Sequence, residues 1–353
     1  MRTPLLALAV LACATPPAPA QRPQDPGPKR HQLMPTPANV AWGYYWSEAV
    51  PKLRIRSGDQ VEMRTLLTSS PTRLERLGVA PEEVEQYLRD VYENVPREER
   101  GPGGHILTGP VYVEGAEPGD VLEVRILEVG LTIPYGYNSR SGFLREEFRR
   151  GGSKLIRMDT DRMVALYSEG IEVPLSPFFG CMGVAPPPDA GRWSSTPPWI
   201  HGGNLDNKRL VAGTTLYLPV HVAGALFEAG DGHAVQGDGE VSQTALETSL
   251  QGVFEFHVRK DMKTLSWPRA ETPTHYITMG TDEDLVTATQ TALREMIDFI
   301  VEKTGLSRAD AYGLCSLAVD MHITQLVDQK VGVHAMCPRE IFVGEERKKH
   351  PER

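Results

Sequence analysis

Val121-Leu122-Glu123-Val124-Arg125-Ile126-Leu127 reads as a β-strand. Leu122, Val124 and Ile126 share one face, and Glu123 and Arg125 take the other, which is the two-residue period of a pleated chain. The apolar face expects a core; the charged face expects solvent or a polar seam. The same alternation recurs at 214–220 and at 253–259, where Phe254, Phe256 and Val258 fall on one side. Residues 51–68 add a short strand, a Ser57-Gly58-Asp59 turn and a second strand through Val61-Glu62-Met63-Arg64-Thr65-Leu66.

Helical spacing is confined to three places. Val84, Tyr87, Leu88, Val91 and Tyr92 predict a helix that Pro81 starts and Pro96 ends, an insertion able to form a wall or lid. Thr289, Leu293, Met296, Ile297 and Ile300 form a second stripe. Ser307, with Asp310 three residues on, predicts the capped start of a third helix. The fold class is mostly β to α+β, with a large β core. The proline tracts Pro186-Pro187-Pro188 and Pro197-Pro198 mark either a boundary between two intimate subdomains near 190–200 or a loop within one body spanning 40–345.

The 353 residues include 33 Gly and 29 Pro and carry a net charge of −9, which favours a turn-rich globular body. That acidity argues against a dedicated nucleic-acid binder. Residues 1–20 read as a signal peptide, with a positive start, an apolar run and a small-residue cleavage site before Gln21, so export to a periplasmic or extracellular space is expected. Lipid attachment at Cys13, after Val10-Leu11-Ala12, is the alternative. No later stretch offers a transmembrane segment. Residues 21–39 are polar and read as a flexible arm. Cys181, Cys315 and Cys337 remain in the mature chain; free buried thiols are the plainer reading, with one bridge as the alternative.

Gly230-Asp231-Gly232-His233-Ala234-Val235-Gln236-Gly237-Asp238-Gly239-Glu240 concentrates the polar chemistry. Asp231 and His233, two apart, either share a strand face or converge at a turn on one ion. Glu240 can carry a proton between water and a leaving nitrogen. The competing reading is a polar surface turn. Trp199-Ile200-His201-Gly202-Gly203-Asn204-Leu205-Asp206-Asn207 is the second candidate, with Asp206 a potential ligand and Asn204 an amide-orienting group, or else a side-chain-capped turn. His105 follows Gly101-Pro102-Gly103-Gly104 at a loop-to-strand junction. Asp320 and His322 alternate so that a carboxylate–imidazole pair is available. Cys181, in Phe178-Phe179-Gly180-Cys181-Met182, reads more simply as buried than as a nucleophile.

Taken together, these motifs resemble the acetamidase/formamidase family. The resemblance runs through Gly104-His105-Ile106-Leu107-Thr108-Gly109-Pro110, Pro177-Phe178-Phe179-Gly180-Cys181-Met182-Gly183, Gly202-Gly203-Asn204-Leu205-Asp206-Asn207 and the 230–240 stretch. It implies a β-sandwich-like core with an α/β portion, a homo-oligomer, and hydrolysis of a small carboxamide to carboxylate and ammonia. It further implies metal ligands at Asp206, Asp231 and His233, and catalytic roles for Glu240, Asn204 and His105. Zinc is the first expectation for such mixed nitrogen and oxygen donors, and calcium the second. Cys181 departs from the small or aliphatic residue expected in its loop. Hydrolysis of substituted or cyclic amides, and a noncatalytic metal-stabilised binding domain, are the alternative functions.

Overall fold

The computed structural model describes residues 27–262 and 265–343. The expected signal peptide at 1–20, Cys13 and the first part of the arm lie outside the described residues. The strand expected from 121–127 runs as Val121–Leu131 through the middle of a nine-stranded sheet, between Leu250–Arg259 and Thr215–Pro219. Both neighbours are the strands that alternation picked out, and both pair with it antiparallel.

An eleven-stranded sheet packs against the first. Phe179 and Phe227 from this sheet meet Phe254 and Phe256 from the other, with ring centroids 5.1–5.7 Å apart. Leu122, Val124, Ile126, Val61 and Met63 join the same cluster, so one apolar core lies between two sheets. The polar face of Val121–Leu131 carries an ion-pair seam at its start, where buried Glu123 bonds both Arg259 and the solvent-exposed Arg125.

The α/β portion comes at the end of the chain. Helices Leu285–Thr304 and Arg308–Ala318 cover strands His275–Asp282 and Val331–Pro338. Ser307 accepts from the Asp310 backbone N–H, as the capping pattern required, and Gly305 ends the preceding helix in the left-handed region. Cys181, Cys315 and Cys337 are free and buried.

Two expectations need correction. Arg30–Leu33, placed in the flexible arm, is a strand paired in parallel with Gln60–Arg64, and Asp59 anchors it by accepting from the Lys29 backbone and contacting His31. The helix expected from Pro81 begins as a 3-10 turn, Pro81–Glu83, and becomes α-helical only at Gln86–Asn94. Glu83 holds that turn by accepting from the Ala80 N–H and pairing with Arg157. A further helix, Pro71–Leu77, precedes it. Leu74, Val84, Leu88 and Val91 bury against Trp42, Ile106 and Tyr135, so this segment is packed as a wall.

Candidate metal and catalytic centre

Strand Phe178–Gly183 is the floor of the site, lying between Phe227–His233 and Gly202–Asn204. Its register places Cys181 opposite Asn204, and the Gly180 carbonyl accepts from the Asp206 N–H. On the next strand Asp231 and His233 are both buried and their side chains meet, with the left-handed backbone at Asp231 combining the strand and turn alternatives for their two-residue spacing. His233 in turn pairs directly with Glu247 of strand Glu247–Thr248. Asp206, Asp231 and Glu240 all have left-handed backbones, with φ of 47°, 54° and 43°. Non-glycine residues held there cost of order 1–3 kcal/mol each and concentrate where side chains must be aimed.

Both histidines of the cluster have their tautomers fixed from behind. Gln236 donates its Nε2–H to the Asp206 carbonyl, so its Oε1 is the atom that meets His233 Nδ1 at 2.9 Å. His233 Nδ1 therefore carries the proton and donates it. His105 Nδ1 lies 3.1 Å from the Ser195 carbonyl, which can only accept, so it carries the proton as well. The two remaining lone pairs face one carboxylate: Asp231 Oδ2 is 3.2 Å from His233 Nε2 and 3.8 Å from His105 Nε2. Glu247 Oε1 is 3.3 Å and Glu240 Oε1 4.0 Å from His233 Nε2, and Asp206 Oδ1 is 3.9 Å from His233 Nδ1. Apart from the contact at the protonated His233 Nδ1, these are acceptors facing acceptors, which calls for a shared cation or shared protons.

The cluster's electrostatics agree. Burial pushes Asp206, Glu240 and Glu247 above the ordinary carboxyl range, reinforced at Asp206 by Glu240 and at Glu240 by Asp328. Burial likewise lifts Asp328 to about 6. Burial opposes ionisation of Asp231 too, but His105 and His233 outweigh it and hold that carboxyl low. Burial disfavours the His233 cation, yet Glu247 and Asp231 raise it well above the usual imidazole value. The Cys181 thiol is pushed up by burial and by Asp231 and Asp206, which keeps it from being a ready nucleophile.

The residues fit a metal on three counts. Asp206 Oδ1 and Oδ2, Glu240 Oε2 and His233 Nε2 are buried without a hydrogen-bond partner. Three sets bring donor atoms within 4.8 Å of one another: His105, Cys181 and Asp231; Asp231, His233 and Glu247; Asp206, His233 and Glu240. Gly180 leaves the space between them open, since a Cβ there would stand 2.5 Å from Asp206 Oδ1, 2.6 Å from Asp231 Oδ2 and 2.8 Å from His233 Cε1.

All six residues expected in the site from sequence lie in or against this cluster. Asn204 touches it through its Oδ1, which accepts from the Cys181 thiol at 3.0 Å. His201 and His322 do not join. His201 is buried against Tyr45 and Trp193, and burial lowers it to about 3. His322 stacks on His334 and meets Asp238, 3.4 Å away, in place of the expected Asp320. Glu247 and Asp328 were not anticipated. Glu247 arrives by strand register and Asp328 by a loop with no motif around it.

The acetamidase/formamidase family model matches residues 100–196 and 189–343. An acetamidase from Mycolicibacterium smegmatis is 26% identical over 217 residues, 44% of this chain and 53% of that protein. The chain spans about half the length of the curated relatives it matches. Among solved structures, an acetamidase from Bacillus halodurans is 30% identical with a TM-score of 0.74, covering 89% of this chain and 99% of that one. A predicted acetamidase/formamidase from Thermoanaerobacter tengcongensis gives the same TM-score of 0.74 at 26% identity, covering 90% and 98%.

Proposed function

The chain belongs to the acetamidase/formamidase family, and we propose that it hydrolyses a small carboxamide to a carboxylate and ammonia at the buried cluster around Asp231. The observation that carries this reading is the pair of histidine Nε2 lone pairs aimed at one Asp231 oxygen. Asp206, Asp231 and His233 would hold a divalent ion, with His105 a further donor; zinc is the first choice for this set and calcium the second. Such an ion supplies Lewis-acid polarisation of the amide carbonyl and a lowered pKa for the attacking water.

The chain's own groups do the rest. Glu240 takes the proton of the attacking water and later delivers it to the departing nitrogen, so the C–N bond breaks as the new C–O bond is kept. Its burial raises its affinity for a proton, which suits the delivery step, and a cation held beside it would favour the ionised form that takes the water's proton. Asn204 can offer its Nδ2–H groups to an oxyanion, while its Oδ1 accepts from the Cys181 thiol. Gln236 and Ser195 hold the two imidazoles in the tautomers that leave Nε2 free.

A cavity of about 220 Å³ reaches Gln236 and Glu240 and is walled by Ile156, Ala165, Val173, Val241 and Leu246. Asn138, Asp238, Ser242 and Thr244 give the same cavity a polar side, and it leads to Glu240 from outside the cluster. Ammonia release across formamide, acetamide and longer aliphatic amides tests the assignment. Hydrolysis of any of these linear amides supports the assignment, and no hydrolysis of any of them overturns it. We further propose export of the chain by its first 20 residues and assembly of the mature protein as a homo-oligomer. Localisation of a tagged full-length chain and light scattering of the purified protein check these.

A further inference from the structure

Cys181 is the donor that sets this site apart. It occupies the floor strand next to Gly180, and its sulfur lies within 4.8 Å of both His105 and Asp231 donor atoms. The three come from separate elements. Cys181 is on Phe178–Gly183, Asp231 is on the neighbouring strand, and His105 stands just before Ile106–Glu114. His105 Nε2 is a lone pair by virtue of the Ser195 carbonyl behind it, and it faces Asp231 Oδ2 at 3.8 Å. Two acceptors at that separation are too far apart for a hydrogen bond. They are close to the span of two donors on one tetrahedral ion, roughly 3.3–3.8 Å for bonds of about 2.0–2.3 Å. The sulfur, within 4.8 Å of both, is the third donor of the group.

We propose that Cys181 is itself a ligand, binding the ion through its sulfur together with His105 and Asp231, with the thiol proton passing to solvent as the ion enters. This rests on the metal reading of the cluster and narrows it. A nitrogen, oxygen and sulfur donor set selects a zinc-like transition ion and rejects calcium and magnesium, which take oxygen. Ligation also releases the Asn204 carbonyl oxygen from its thiol donor, leaving the whole Asn204 amide for substrate.

Cobalt(II) is the probe. Metal-stripped full-length protein titrated with Co²⁺ is expected to show d–d bands in the visible and a thiolate-to-cobalt charge-transfer band in the near ultraviolet. Both should saturate together. Cys181→Ser is expected to lose the near-ultraviolet band, keep the visible bands, and bind cobalt at least about tenfold more weakly, since even outer-shell partners of a metal cost about that much. Visible bands without charge transfer in the wild-type protein overturn the Cys181 assignment and leave the metal reading standing. Absence of cobalt binding by absorbance and calorimetry overturns both. The wild-type spectrum decides even if the variant does not fold.

Discussion

Gly180→Ala adds one methyl group at the centre of the cluster. The new Cβ would stand 2.5 Å from Asp206 Oδ1 and 2.6 Å from Asp231 Oδ2. Ordinary carbon–oxygen contact is about 3.4 Å, so each carboxylate must retreat by roughly 0.8 Å or the strand must bow. Gly180 lies outside the left-handed region, so the substitution adds no backbone strain of its own. Overpacking of this kind costs about 1–3 kcal/mol of stability. The effect on metal is larger in kind. Ligand positions are held to within about 0.2 Å, and the shift is several times that. Disturbing a ligand's support alone costs about 10- to 100-fold, so displacing two ligands should weaken zinc binding by about 100-fold or more, roughly 2.7 kcal/mol. Calorimetric titration of metal-stripped protein measures this directly. Gly280→Ala is the control, since its Cβ would press on Ala288 and Ala292 of a distant helix; it should lose stability and keep its zinc affinity. A folded Gly180→Ala protein that binds zinc as tightly as wild type would mean that the space above Gly180 is not where the ion sits.

Glu240→Gln should keep the fold and the metal stoichiometry while turnover falls about 10²- to 10⁴-fold; loss of metal with turnover would make Glu240 a ligand instead. His233→Ala and Asp231→Asn should each lower metal occupancy, read by atomic absorption on protein purified in parallel, and unchanged occupancy in both would remove them from the ligand set. Metal-stripped protein should lose stability as pH rises from about 4. The folded state keeps protons on Asp206, Glu240, Glu247 and Asp328 that the unfolded chain has released, with the Asp328 share lost by about pH 6. His233, raised in the fold, adds loss in the same direction above about pH 6.5, while Asp231, lowered in the fold, contributes stability above about pH 4 that is lost only on acidification. Denaturant melts at pH 5 and 8 should show a drop that saturating zinc abolishes; stripped protein more stable at pH 8 than at pH 5 would contradict it.

Sequence reveals most where the chemistry is local. Asp231 and His233 are two apart on one strand, so their nearness is local, although the left-handed backbone at Asp231 sets how its side chain is aimed. Ser307 and Asp310 cap a helix for an equally local reason. Glu247 sits in an unremarkable run and reaches His233 only because strand register sets the two side by side. Nothing adjacent in sequence encodes that register. Arg30–Leu33 looks like a tether because its side chains are polar, but its hydrogen bonds come from the backbone of Gln60–Arg64, which composition does not report. The helix after Pro81 starts late because Glu83 is committed to Ala80 and to Arg157, seventy-four residues away. Gly180 illustrates the same limit: its role is to be absent between carboxylates that other strands deliver.

If the buried cluster binds a divalent ion and uses it to cleave a carboxamide, turnover must follow metal loading. Ammonia release from a short aliphatic amide, followed while metal-stripped protein is titrated with Zn²⁺, reads both at once. The expected trace starts at baseline, rises in proportion to added zinc and levels off at a whole-number stoichiometry. Full turnover before any zinc is added, or no ammonia from any amide at any loading, would contradict it.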